Sequence, residues 1–247
     1  MSEARSRRSD RELQDAVITY LADAALRRGA SDLPLAPEQA QRAGRFARFL
    51  ARRYYRDRLA RSFRYSRRFG ASPEAFVETP GFDVFLDECV LGSQRAAEHV
   101  GDLVMEHLSE LPGSGPWWSD LLEYERLFFL QAATTENALA AEFPQPTPSA
   151  RCHTFSWDLP HLLQRLKSNE PIGGELRREV TLLFSRTHLG RIYVVELDEA
   201  MAAVFHAADA RRSVAQIAAA TSLSVPVVQQ TLLALAQIGA VIAPFQE

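Results

Sequence analysis

The chain has 247 residues, 47% hydrophobic and 24% charged, a profile that excludes wholesale disorder and suits one large domain or two modest ones. Its net charge of −3 hides an asymmetry: residues 1–70 hold 17 Arg against 8 acidic residues, and the remainder holds 11 Lys or Arg against 23. No apolar run reaches the roughly 18–20 residues of a membrane helix, and two distant cysteines, Cys89 and Cys152, exclude a disulfide scaffold or a cysteine-rich zinc module.

The N-terminal MSEARSRRSD is polar, so no export signal is expected, and the cytoplasm is the expected compartment. Residues 10–28 carry Leu13, Val17, Ile18, Leu21 and Leu26 at helical spacing, with Gly29 as a stop. Pro34 and Pro37 mark 30–37 as a loop. Pro37 and Glu38 open an Arg-rich helix expected to end at Gly70. Within 41–70 there are 11 Arg and one acid, Asp57. Phe46, Leu50, Tyr54, Leu59 and Phe63 recur every four or five positions, and Arg45, Arg48, Arg52 and Arg56 follow another stripe. This predicts an amphipathic helix, packed on one side and charged on the other. The charged side is either a solvated face or a surface for an acidic partner.

Ser72-Pro73-Glu74 reads as a further helix start, 81–110 as one or two helices, and 112–116 as a break. Residues 117–142 form the most apolar predicted helix. Trp117 and Trp118, just after the break, either anchor the loop in the core or wall a binding surface. Residues 1–143 are thus predicted to be all α. The stretch FPQPTPS, with three prolines in seven residues, marks 144–150 as a stiff linker.

The texture then changes. EVTLLFSR and GRIYVVEL are rich in β-branched and aromatic residues, and Thr187-His188-Leu189-Gly190 separates them, a hairpin signal. HTFSWDL precedes them, interrupted by Asp158 and Pro160, which leaves the count of three strands open. Three helices are predicted over 198–208, 213–220 and 224–238. Together, 151–247 form a small α+β, winged-helix-like domain, and the chain as a whole is mainly α.

The last two helices read as a helix-turn-helix, whose obvious ligand is DNA. No Lys or Arg occurs from Ser213 to Glu247, however, and DNA affinity rests largely on phosphate neutralisation. The edge of the GRIYVVEL strand offers another use, the addition of an extended peptide. Ile192, Val194, Leu232 and Leu235 are read as core of the small domain at least as readily. For catalysis there is no GxSxG, HExxH, P-loop or GxGxxG opening a helix. His99, Asp102 and Glu106 share one helical face, which reads as a solvated face or half of a bundle-type metal site. Cys152 and His153 are adjacent in a predicted strand and should point to opposite faces.

The order of features is more specific. YYRDRLARSFRYSRRFG, then WWSDLLEYERLFFLQAATT, a Pro-rich joint, the strand pair TLLFSR and GRIYVVELDEAMAAVF, and a small helical end follow one another. From about residue 45 to 245 this resembles the HvfC/BufC-like partner proteins of DUF692-type multinuclear iron enzymes, which modify ribosomally made peptides. The group includes the companion subunits of the methanobactin and 3-thiaglutamate pathways. The resemblance implies a non-catalytic accessory subunit. Its helical domain would dock on a separate TIM-barrel iron enzyme as a heterodimer, with Arg45, Arg48, Arg52, Arg56, Trp117 and Trp118 as candidate docking residues. Its C-terminal domain, of the PqqD type, would hold a precursor peptide and present its cysteine. By position the peptide-adding strand is Arg191, Ile192, Tyr193, Val194, Val195, Glu196 and Leu197. The helix beside it would offer Val227, Val228, Thr231 and Leu235. The resemblance places the iron in the partner and no metal or cofactor in this chain. Proline at Tyr193 or Val195 is expected to remove a ladder donor from the edge. Two other readings stand beside this one: a DNA-binding regulator using the helix-turn-helix with the Arg-rich helix, and a metalloenzyme using His99, Asp102 and Glu106.

Overall fold

A computed structural model describes residues 37–88, 93–109, 115–133 and 141–243. The predicted helix over 10–28 lies outside these residues, as do parts of the loop at 30–37, of the break at 112–116 and of the helix end at 134–142. The fold is mainly helical with a small antiparallel sheet. Four helices come first: α1 Pro37–Ser62, α2 Pro80–Glu88, α3 Gln94–Ser109 and α4 Trp118–Ala133. Short strand β1 Gln145–Pro146 and strand β2 Arg151–Phe155 lead to α5 Leu159–Ser168. The hairpin β3 Val180–Arg186 and β4 Ile192–Glu196 follows. Helices α6 Glu199–Ala207, α7 Val214–Thr221 and α8 Val225–Gln237 precede β5 Val241–Ile242.

The Arg-rich helix stops at Ser62, not at Gly70. Residues 66–69 form a separate 3-10 turn, closed by Gly70 in the left-handed region at φ 86°. Ser72-Pro73-Glu74 likewise opens a 3-10 turn, Pro73–Glu78, rather than an α-helix. The buried stripe of α1 is Ala51, Tyr55 and Leu59, at steps of four, continued by Phe63. It differs from the predicted stripe at its start, because Phe46 is 56% and Leu50 38% exposed. Tyr55 sits among Phe82, Phe85 and Phe129, with ring centroids 5.8, 5.8 and 6.4 Å away.

Order β2-β3-β4 defines the main sheet, antiparallel throughout. The third strand is therefore present. Asp158 and Pro160 do not interrupt it, because β2 ends at Phe155. Asp158 is instead the N-cap of α5, accepting the N–H of His161 at 3.3 Å, and a proline stands in that helix's first turn. Side chains of β3 alternate between two hydrophobic clusters. Val180, Leu182 and Phe184 join α1–α5 on one face, and Leu183 joins α6–α8 on the other. Covered on both faces, β3 reads as the near-continuous apolar run of a buried strand.

The two clusters divide at the sheet, not at the change in composition near residue 150. Phe155, Leu162, Leu166 and Phe184 share one cluster with Tyr55 and Phe129. The stretch read as a linker is tied into the C-terminal part. Gln145 and Pro146 pair with Ile242 and Val241, the Thr147 N–H donates to the Ala240 carbonyl at 2.9 Å, and the Ala210 N–H donates to the Pro144 carbonyl at 3.0 Å.

Candidate functional site

Strand β4 forms one edge of the sheet, and among the described residues no strand pairs with its outer side. Its parity follows from the register. Leu197 N–H donates to the Thr181 carbonyl and Thr187 N–H to the Arg191 carbonyl, each at 2.9 Å. Hydrogen-bonded pairs alternate in an antiparallel ladder. Residues 191, 193, 195 and 197 therefore turn their backbone groups to β3, while Ile192, Val194 and Glu196 turn theirs outward. This corrects the expectation for proline. At Tyr193 or Val195 it would remove a bond to β3 and damage the sheet itself; at Val194 it would remove an outward donor.

The side chains divide by the same register. Val194 pairs with Phe184 and packs on the first cluster, whereas Tyr193 and Val195 lie opposite Ser185 and Leu183 on the α8 face. Ser185 Oγ donates to the Ile238 carbonyl at 2.9 Å, which seats the end of α8 over β3 beside Tyr193. Gly239 follows at φ 75°, and its Cα lies so close to the β3 end that a Cβ there would fall on the Arg186 carbonyl oxygen.

Between the hairpin and the end of α8 lies a cleft of about 650 Å³. The hairpin loop contributes Thr187, His188, Leu189 and Arg191, and β4 contributes Tyr193; Ala236 and Gln237 of α8 with Gly239 close it. Leu189 is 83% exposed at the hairpin tip. The Arg191 guanidinium donates to Tyr193 Oη at 3.4 Å. At the far end of β4, Glu196 accepts from Arg178 at 3.3 Å, and Arg178 also donates to Asp158 at 2.7 and 2.9 Å. Burial alone would raise the Asp158 carboxyl, but the bonds from His161 and Arg178 outweigh it and hold that carboxyl below its ordinary range.

The predicted peptide-contacting residues separate on this structure. Ile192 to Val195 are half-buried and Glu196 is exposed, as an edge strand requires. Leu197 lies past the strand, buried against α6–α8. Val228 and Leu235 are fully buried in that core and cannot meet a ligand. Val227 and Thr231 are accessible, but the cleft uses the Ala236 and Gln237 side of α8. At three- and four-residue spacing that face continues through Leu233, which is exposed. Sequence reasoning missed Leu189, Leu233, Ala236 and Gln237. The signal for Leu233 was its place out of step with Val228, Leu232 and Leu235.

The docking candidates also separate. Arg45 and Arg48 are exposed. Arg52 is engaged with Asp83 and the Val77 carbonyl, and Arg56 with Glu78, so half of the stripe serves to fasten α1 to the turn at 73–78 and to α2. Trp117 and Trp118 are buried and meet Phe69 tilted and edge-on, at 5.3 and 5.7 Å between ring centroids. They anchor the loop in the core and offer no docking face. Asp102 accepts from Arg126 at 2.7 and 2.9 Å, and the His99 ring meets Phe85 edge-on. Among the described residues no three His, Cys, Asp or Glu side chains gather as a metal site. Cys152 packs on the α6–α8 cluster while the His153 ring lies 4.6 Å from that of Phe155, so the two do occupy opposite faces. Burial pushes the Cys152 thiol up.

Helices α7 and α8 meet at a bend of 109°. A capping box closes the start of α7, with Ser213 and Gln216 bonding each other's backbone N–H groups, and Ser222 ends it in the left-handed region. The exposed positions at the start of α8 are apolar or neutral: Val225, Pro226, Val227, Gln229 and Gln230. Among the described residues no single helix is long and apolar enough to cross a membrane. No protein-family model matches the chain, and no curated protein matches its sequence.

Proposed function

We propose that the chain is a non-catalytic accessory subunit whose C-terminal, winged-helix-like part binds an extended precursor peptide along β4. It would present that peptide's cysteine to a separate iron-dependent TIM-barrel oxidase in the cytoplasm, as a heterodimer. One observation carries the reading: the outward backbone groups of Ile192, Val194 and Glu196 form an edge bordered by a cleft against α8. Such an edge accepts a strand through backbone bonds, and the adjoining cleft can select side chains. The resemblance carries the iron partner and the peptide's modification. Tethering would raise the effective concentration of the cysteine to roughly millimolar, even where the peptide alone binds weakly.

Co-expression with the products of the neighbouring genes tests the partnership. The expected product is a one-to-one complex with iron on the other subunit and with Val194→Pro unable to retain peptide. Elution of this chain alone, free of iron and peptide, would refute the proposal. Val194→Pro removes one outward N–H and sets a ring against the incoming strand, with at least about tenfold loss of peptide affinity expected. Retained affinity in a folded Val194→Pro protein would refute the edge.

A DNA-binding reading has one observation in its favour. The 109° bend of α7 and α8 falls within the ~90–120° range of helix-turn-helix units. Against it stands the absence of Lys and Arg after Arg212. Duplex DNA binding that falls steeply with salt would favour it.

A further inference from the structure

We infer that the cleft at the hairpin end of β4 is a carboxylate subsite, so that the peptide it takes carries an acidic group one strand-width from Arg191 and Tyr193. This deepens the peptide-binding reading and rests on it. The charge of the cleft is one-sided. Among the described residues Arg191 is the cation that lines it, and no Asp or Glu does. Arg191 is exposed and bonds Tyr193 Oη through one guanidinium nitrogen, which leaves other N–H groups that a carboxylate can accept side by side. The other end of the edge differs. There Glu196 and Asp158 already neutralise Arg178. At the hairpin end, among the described residues, no carboxylate pairs with Arg191. The rest of the cleft suits a carboxylate's short stem: Leu189, Ala236 and the Tyr193 ring supply apolar walls, and Thr187 and Gln237 supply polar groups. A side-chain carboxylate and a peptide's terminal carboxylate share this chemistry.

The test uses the full chain and a library of random ten-residue peptides anchored to beads through their C-termini, so that only side chains supply carboxylates. A parallel library carries free C-termini. Each is screened against wild type, Arg191→Glu and Val194→Pro. Wild type should select Asp or Glu at a fixed distance from apolar positions, and Arg191→Glu should lose that choice and select Lys or Arg instead. Replacing the selected Glu by Gln should weaken binding to wild type about tenfold and to Arg191→Glu less than twofold. Binding confined to the library with free C-termini, and weakened by Arg191→Glu, would assign the same subsite to the peptide's end. Selected peptides with no acidic preference, or the same acids chosen by Arg191→Glu, would overturn the subsite while leaving the edge intact. Peptides that still bind a folded Val194→Pro chain, or a library that yields no ligand, would overturn the edge and the subsite together.

Discussion

Replacing Glu125 by Gln should flatten the pH dependence of stability. Glu125 lies on the buried face of α4, and its carboxylate accepts the N–H of Tyr65 at 2.5 Å and that of Ser66 at 3.2 and 3.3 Å. It thereby caps the corner where α1 gives way to the 3-10 turn at 66–69. Burial pushes its pKa from the ordinary 4.5 up to about 7, against the opposing pull of the Ser66 and Tyr65 bonds and the Arg64 charge. A raised carboxyl pKa means that the folded chain holds the proton more tightly than the unfolded chain. The contribution is therefore full below the unfolded value, falls as pH rises, and is spent once pH passes the folded value. At about 1.4 kcal/mol per pH unit, that window corresponds to about 3 kcal/mol. Tyr124 beside it is pushed up to about 12, chiefly by burial, and stays neutral throughout. Urea denaturation of wild type and Glu125→Gln from pH 4.5 to 8 reads the difference, and titrations elsewhere cancel. The two stability curves should converge or cross by that amount between pH 4.5 and 7. Parallel curves would refute both the raised pKa and its origin in burial.

Gly239→Ala should cost about 2 kcal/mol or more, since its Cβ would fall on the Arg186 carbonyl oxygen and 2.9 Å from Thr187 Cα at a φ of 75°. The displaced α8 end should also speed amide exchange in the hairpin; Gly174→Ala, with nothing within 4 Å, serves as the neutral control. Asp158→Ala should cost about 1–2 kcal/mol in urea denaturation, because α5 loses its N-cap and Arg178 loses a partner. Because the Asp158 carboxyl lies below its ordinary range, its contribution is present at neutral pH and lost as pH falls through the folded value.

What could be read from the sequence was local. The predicted helices over 213–220 and 224–238 differ from α7 and α8 by about one residue at each end. Their ends are written in the Ser213–Gln216 capping box and in a proline of α8's first turn. Burial on α1 was not local. Phe46 and Leu50 keep the stripe's spacing, yet among the described residues the packed part of the helix begins only at Ala51, opposite α2 and the turn at 73–78. Helical periodicity does not say how far along a helix its neighbours reach. Edge parity was equally hidden, because it depends on the register with β3 and not on any property of Ile192 to Glu196. Glu125 was accessible in principle: it falls in step with Leu121, Leu122 and Phe129, a carboxylate on an apolar stripe.

Because β3 is covered on both faces, a one-residue slip would drive Leu182 and Phe184 out of one core and Leu183 out of the other. The register is fixed twice over, and with it the choice of Ile192, Val194 and Glu196 as outward residues. A strand added to β4 would inherit that alternation. Its side chains level with Val194 would face the helical part that holds Phe184 and Tyr124, whose rings are 5.5 Å apart. Those level with Tyr193 would face the cleft against α8. Both halves of the chain would then read the same peptide, on opposite faces of one strand. Substitutions on α4 near Tyr124 should therefore alter peptide choice at alternate positions from those altered at Arg191.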